Sequence, residues 1–248
     1  MEKLRPKLFS TMKGYTKEQF VKDVISGIIV AIIALPLSIA LALASGVTPE
    51  QGIYTAIIAG FLISLFGGSR VQIAGPTAAF ATIVAGIVAE NGISGLIIAT
   101  ILAGIILIIM GLCRLGNLIK FIPFTITTGF TAGIAVTIVI GQLKDFFGIT
   151  YKKGLPTVET MDKLKALFKS FDSFNYQALI VGLVCLAVLI IWPYINKTIP
   201  GSLIAVIVGI AMVNGLKMNV NTIGDLYTIS NKLPSFSVPA FNLDTIGK

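Results

Sequence analysis

The chain has 248 residues, of which 55% are hydrophobic and 12% charged, with a mean hydropathy of +0.93 and a formal net charge of +8. That composition excludes a water-soluble core and reads as a protein of several membrane spans. With no histidine, no carboxylate inside any long apolar window, and Cys113 and Cys185 each isolated in one, it also lacks the usual acid-base groups of an enzyme, a disulfide framework and a zinc site, so neither enzymatic activity nor a cofactor is expected.

The basic excess has a simple origin. Lys3, Arg5, Lys7, Lys13, Lys17 and Lys22 precede the first apolar run, and the rest lie in loops and tails without interleaved aromatics, so nucleic acid is not an expected partner and the lipid bilayer is. By the positive-inside rule residues 1–22 form a cytoplasmic N-terminal segment of a plasma (inner) membrane protein. The first apolar run is too long and too far along the chain for a cleavable signal peptide.

Windows free of Asp, Glu, Lys and Arg run over residues 24–49, 51–69, 71–89, 91–113, 121–143, 173–196 and 198–216. Each is long enough to cross a bilayer, so residues 23–216 read as seven segments, at about 24–45, 51–67, 76–89, 93–111, 124–143, 176–195 and 199–216. Segment one holds Pro36 near its middle, followed by Leu37 and Ser38. Proline frees a carbonyl one turn earlier, so this is either a simple kink or a wall of a site. Segment two carries Ala56, Gly60 and Ser64 at a spacing of four, a small-residue face for close packing. The same device recurs at Ala78, Thr82 and Gly86, at Gly129 and Gly133, and at Gly201, Ala205 and Gly209.

Residues 144–171 form the one long polar insertion. Met161, Leu164, Leu167, Phe168 and Phe171 recur at helical spacing, which predicts an amphipathic helix on the membrane surface. Residues 217–248, with Pro234 and Pro239 and no long apolar run, read as a linker. Alternating the segments puts ten basic and three acidic residues on the N-terminal side, against nine basic and eight acidic on the other. The orientation is strongly specified, and an odd number of spans leaves the C-terminal tail on the opposite face.

The stretch from Gly67 to Gly92 departs from this pattern. Arg70, Val71, Gln72 and Ile73 alternate polar and apolar, as in a short extended piece. Gly75-Pro76 ends it, and Pro76 suits the first position of a new helix whose charge-free body runs from Thr77 to Val88. That body spans about 20 Å against a hydrocarbon core of about 30 Å, so the helix must begin inside the membrane. A helix start there is tolerated only where protein or a water-filled cavity satisfies the freed backbone groups. The N–H groups around Thr77, Ala78 and Ala79, the positive end of the helix dipole and the Thr77 hydroxyl together form a candidate site for a small inorganic anion. The other reading is a proline-kinked membrane helix with no ligand. The candidate site residues are Gly75 and Pro76, which shape the break, Thr77 and Ala78 as donors, and Pro36, Leu37 and Ser38 as the facing wall; Arg70 is expected to snorkel to the cytoplasmic interface.

Asp23-Val24-Ile25-Ser26-Gly27-Ile28, Leu35-Pro36, Gly46-Val47-Thr48-Pro49-Glu50-Gln51-Gly52-Ile53-Tyr54, Phe66-Gly67-Gly68-Ser69-Arg70 and Gln72-Ile73-Ala74-Gly75-Pro76-Thr77 resemble, in that order, the N-terminal half of the SulP-type anion permeases, the sulfate permease family. Leu233-Pro234-Ser235-Phe236-Ser237 agrees more weakly, and the run from Ala34 to Ala40 is most similar to the bicarbonate-transporting branch. The resemblance implies an all-α polytopic fold of two inverted seven-span repeats, with a core and a gate domain that move as an elevator, usually as a homodimer. It also implies an anion held between two half-helix N-termini, the first of them at Thr77 and the Ala78 N–H. The second half-helix, the acidic residue that handles a coupling Na⁺ or H⁺, and a cytoplasmic STAS domain would lie beyond Lys248.

The chain is thus expected to be the first half of a secondary active transporter for bicarbonate or sulfate, needing a C-terminal repeat or a second chain. The alternatives are an anion channel or dicarboxylate transporter of the same fold, a non-transporting truncated fragment, a half-size transporter that pairs two chains in opposite orientations, and a membrane enzyme or scaffold. The charge bias argues against opposed chains.

Overall fold

The structure, a computed structural model, describes residues 6–197 and 199–228. Lys3, Arg5, the Leu233 to Ser237 motif and most of the expected linker over 217–248 lie outside the described residues. Among those residues the elements are helical: α1 (Lys7–Thr11), α2 (Lys17–Ala44), α3 (Pro49–Phe66), α4 (Ala78–Leu112), a 3-10 turn (Leu115–Phe121), α5 (Phe124–Phe146), α6 (Thr160–Lys169), a second 3-10 turn (Phe171–Ser173), α7 (Tyr176–Ile195), α8 (Gly201–Gly215) and α9 (Ile223–Leu226). Five of them, α2, α3, α4, α5 and α7, are long and apolar enough to cross a membrane.

Two of these helices start ahead of the charge-free windows, for the same reason. At α2 the Gln19 N–H donates to Thr16 Oγ1 (3.2 Å) while the Thr16 N–H donates to Gln19 Oε1 (3.0 Å), a reciprocal cap that starts the helix at Lys17 rather than near residue 24. Thr48 and Gln51 repeat the arrangement at 3.4 and 3.0 Å, with Pro49 in the first turn, so α3 begins at Pro49 rather than residue 51. A charge-free window marks only the part of a helix in hydrocarbon. The 28 residues of α2 reach about 42 Å, far enough to carry Lys17 and Lys22 into the headgroups.

The expected segments at 76–89 and 93–111 are the two limbs of one 35-residue element, α4, broken at Gly92 (φ 66°, ψ −171°). Glu90 and Asn91 stay helical, so a single residue makes the break. Its conformation is open almost only to glycine. α5 runs on to Phe146, three residues past the expected end. α7 has its expected bounds, 176–195, with Asn175 Oδ1 accepting from the Gln177 and Ala178 N–H groups at its start. α8 starts at Gly201 and not at Ile199, because Pro200 is extended (φ −59°, ψ 131°) and Ile199 precedes a proline.

The helices pack in two groups. α2 lies on α3 and on α4; α7 lies on α8 and α5, with α6 across α5; α2 touches α8, and α4 touches α5. Small residues set the closest approaches. A Cβ built on Gly52 of α3 would stand 2.4 Å from the Ser38 carbonyl oxygen and 2.7 Å from Ala42 Cβ, so α2 and α3 meet there with no room for a side chain. A Cβ built on Gly182 of α7 would stand 2.8 Å from the Phe146 ring, and one on Gly209 of α8 would stand 3.2 Å from Cys185 Sγ. Ala205, also on the expected α8 stripe, is buried. Gly86, Gly129 and Gly133 have open space where a side chain would be, so at these positions the stripes meet no helix among the described residues. α5 buries no residue, and its Thr127, Thr128, Thr131 and Thr137 hydroxyls donate to carbonyls three or four residues back, the arrangement an apolar exterior demands.

The insertion folds as a small module on the end of α5 and α7. α6 spans Thr160–Lys169, but its apolar residues are divided: Ala166 and Leu167 are buried in protein, while Met161 and Phe168 stay exposed. The fully buried Ser170 accepts the Lys152 N–H (3.1 Å), Ser173 Oγ accepts the Thr150 N–H (3.0 Å), and Phe147, Phe171 and Phe174 cluster beneath them. The helix is therefore held by protein packing as well as by amphipathicity.

Gly52→Val is expected to destabilise the protein by about 1–3 kcal/mol, the cost of forcing extra methyl groups into a packed contact. Thermal unfolding in detergent checks this, with Gly129→Ala, which adds a methyl group to open space in the interior of α5, leaving the midpoint unchanged or raising it by a few degrees. Gly92→Ala should likewise cost about 1–3 kcal/mol in the same assay through backbone strain alone.

Candidate functional site

The site grows from the way α3 ends. The Gly67 N–H closes the last turn onto the Ile63 carbonyl (2.8 Å), and a Cβ at Gly67 would meet that same oxygen at 2.3 Å. Only glycine can leave the helix along this path. The following residues, 67–77, are non-helical. Instead of leaving the bundle they fold back along α3, for the Ala74 carbonyl oxygen lies 3.7 Å from where a side chain on Gly60 would begin. Gly60 is six residues before the end of α3, about 9 Å back from that end. The small face of α3 therefore receives backbone rather than another helix.

The expected extended piece over Arg70 to Ile73 is present as an irregular segment without a strand ladder. All four side chains are exposed, Val71 at 93% and Ile73 at 70%. The alternation is real in sequence, but no neighbouring strand among the described residues offers a partner. Ser69 Oγ accepts the Val71 N–H (3.3 Å) in its place, and Arg70 is exposed, as a snorkelling side chain would be.

The helix start differs by two residues from the expectation. Pro76 lies outside α4; Thr77 is the N-cap, extended at φ −124°, ψ 127°, and Ala78 is the first helical residue. Thr77 has the extended backbone of an N-cap, so the helix begins after it. The Thr77 hydroxyl does not cap the helix. It donates to the Gly75 carbonyl (3.3 Å), and the Phe80 N–H turns to the Thr77 carbonyl (3.2 Å). No side chain or carbonyl among the described residues accepts from the Ala78 or Ala79 N–H. Thr77 is exposed, and Gly75, Pro76, Ala78 and Ala79 are half-buried. The result is a helix N-terminus with two free donors, a dipole worth about half a positive charge, and a hydroxyl within reach.

The depth of this N-terminus follows from the other end of the limb. Beyond α2, Gly46 lies against Val88 and Ala85, at 3.9 and 4.0 Å from its built Cβ. Stepping about ten residues back along both α2 and α4 from that level descends about 15 Å and brings Pro36 and Ala78 to one depth. Pro36 and Leu37 are thus level with the break, Leu37 being 57% exposed. Ser38 is different: it is 4% exposed and packed on Gly52 of α3, so it belongs to the α2–α3 contact and not to the facing wall. α2 stays helical through Pro36.

The site carries no titratable side chain between Arg70 and Glu90, and no group of three His, Cys, Asp or Glu that could hold a metal occurs among the described residues. Its chemistry is electrostatic: oriented N–H donors for a negative ligand, with nothing for proton transfer.

The Sulfate permease family model matches residues 20–248. The "Putative sulfate transporter YvdB" of Bacillus subtilis is 40% identical over 238 residues, covering 94% of this chain and 44% of its own length. The "Bicarbonate transporter BicA" of Picosynechococcus is 31% identical over 199 residues, covering 75% of this chain and 34% of its own length. The solved transmembrane domain of a cyanobacterial BicA superposes with a TM-score of 0.69 at 28% identity, over 81% of this chain and 52% of that one. The chain therefore spans less than half the length of these curated relatives. By its motifs, its helical membrane fold and the match over nearly its whole length, the chain belongs to the sulfate permease family.

Proposed function

We propose that the chain is the first half of a secondary active transporter for an inorganic anion, sulfate or bicarbonate, and that the Ala78 and Ala79 N–H groups form half of the anion site. The observation that carries this is a helix N-terminus, at Ala78, with two donors that have no acceptor among the described residues; the reading sets it within the bilayer. Such donors cost several kcal/mol each in hydrocarbon unless a ligand or further protein accepts from them. Membership of a family of transporters, with relatives named for sulfate and for bicarbonate, supports the substrate class.

In this reading the facing half-helix comes from a second, inverted repeat. The unladdered residues Val71 to Ile73 take their strand partner from the same repeat, and the open faces of α5 and of the Gly86 stripe pack against it or lipid. Coupling to Na⁺ or H⁺ belongs to an acidic residue of that second half, since the first offers none near the site. The elevator motion, the homodimer, the STAS domain and the cytoplasmic N-terminus on the plasma membrane's inner face complete the proposal. The same site in a continuous pore would make an anion channel, which labelled-anion flux distinguishes by its failure to saturate.

Ala78→Pro tests the backbone donor directly. Proline suits the first helical position and Thr77 is already extended, so the substitution removes one N–H and leaves the fold intact. A hydrogen bond to a charged ligand is worth about 1.5–3 kcal/mol, so half-saturation for sulfate or bicarbonate uptake by the full-length transporter should rise about 10- to 150-fold. Thr77→Val removes the hydroxyl, whose proton would turn from the Gly75 carbonyl to the bound anion, and should weaken binding by about 1 kcal/mol, roughly fivefold. Unchanged uptake kinetics in Ala78→Pro would remove this helix start from the transport path.

A further inference from the structure

We propose that the N-terminal corner, α1 with the turn into α2, is a docking surface for the headgroup of an anionic phospholipid. Three observations meet there. The first is position: the Lys7 N–H donates to the Gly67 carbonyl (2.9 Å) and α1 packs on α3, so this short element is pinned to the membrane end of α3, beside the exposed Arg70. The second is its apolar content. α1 is not a spanning helix, yet Phe9 is 66% and Met12 56% exposed, with Phe20 at 58% at the start of α2. Gly14 (φ 80°) lies in the turn between α1 and α2, where the Tyr15 N–H donates to the Met12 carbonyl (3.3 Å).

The third is charge. Lys7, Lys13 and Lys17 have no carboxylate within 4.0 Å among the described residues. The two acids nearby are already engaged: Glu18 pairs with Lys22 (2.7 Å), and Asp23 accepts the Tyr15 hydroxyl. Three lysines, the exposed Lys13 and Lys17 and the half-buried Lys7, are left without a carboxylate partner among the described residues, close in sequence to large apolar side chains. Lysines alone would suit any phosphate. Lysines interleaved with Phe9, Met12 and Phe20 suit a phosphodiester that brings acyl chains with it. The occupant is therefore a lipid rather than a free anion.

The contact also bears on the fold. Gly67 is the residue at which α3 turns into the segment leading to Thr77, so a lipid held by α1 steadies the start of that segment through one hydrogen bond.

The test uses the full-length protein in lipid nanodiscs, with Phe9→Trp as reporter and the quenching of the native tryptophans, Trp192 among them, measured in the parent protein and subtracted. Bromine-labelled phosphatidylglycerol and bromine-labelled phosphatidylcholine are compared at equal mole fraction. The expected result is quenching about threefold stronger by phosphatidylglycerol. This preference should be unaffected by millimolar inorganic phosphate, lost in the Lys7→Gln, Lys13→Gln, Lys17→Gln triple variant, and weakened at about 1 M salt, where charges are screened within about 3 Å. Any of four results overturns it: equal quenching by the two lipids, which means apolar anchoring without headgroup recognition; no quenching; loss of the preference to free phosphate; or a preference indifferent to both the lysines and salt.

Discussion

A backbone N–H inside a bilayer has no water to fall back on. Most helices avoid the difficulty by starting in the headgroups, as α2 and α3 do with Thr16 and Thr48 supplying reciprocal caps. α4 starts about 15 Å below the level of Gly46, and its N-cap threonine spends its hydroxyl proton on the Gly75 carbonyl instead of accepting from the helix. The Ala78 and Ala79 N–H groups thereby have no acceptor among the described residues. Everything else of functional interest in the molecule serves to hold that unsatisfied helix end at that depth.

Glycines do most of the holding, through what they lack. Gly67 permits the exit from α3 that any side chain would block against Ile63, and Gly60 lets the Ala74 carbonyl come down beside the helix. Gly52 brings α2 into contact with α3, which fixes the height of Pro36 and Leu37 relative to the break. At the far end of the limb, Gly92 ends the segment with a conformation no other residue adopts without strain. Between these points the limb of α4 over 78–91 is short, uncharged as far as Val88 and Ala89, and held at both ends.

Much of this was legible beforehand because proline, glycine and charge act locally. The apolar windows located the spanning helices, the residues Gly75 to Ala78 marked a break too near its neighbours to allow a full span, and ordered motifs over residues 23–77 pointed to the family. What escaped depended on partners. Helix ends were misplaced wherever the helix ran past hydrocarbon, although the Thr-x-x-Gln pairs at Thr16 and Thr48 carried the signal. Ser38 is buried with its carbonyl against Gly52, a contact set by helix packing, which spacing along one helix does not reveal. Val71 to Ile73 had the alternation of a strand but no ladder partner within the described residues. α6 read as a membrane-surface helix, yet Ala166 and Leu167 are buried in protein, a consequence of contacts with α5 that no periodicity encodes.

The central claim is that an anion occupies the free end of α4, and protection from chemical modification tests it most directly. In the full-length transporter with all native cysteines replaced, Cys113→Ser and Cys185→Ala among them, a single Ala79→Cys would be alkylated with and without sulfate or bicarbonate. The account predicts that the anion slows the reaction in a saturable way, at concentrations matching half-saturation of uptake, while Gly133→Cys on α5 is unaffected. Equal rates at Ala79→Cys with and without anion, in a protein that still transports, would contradict it.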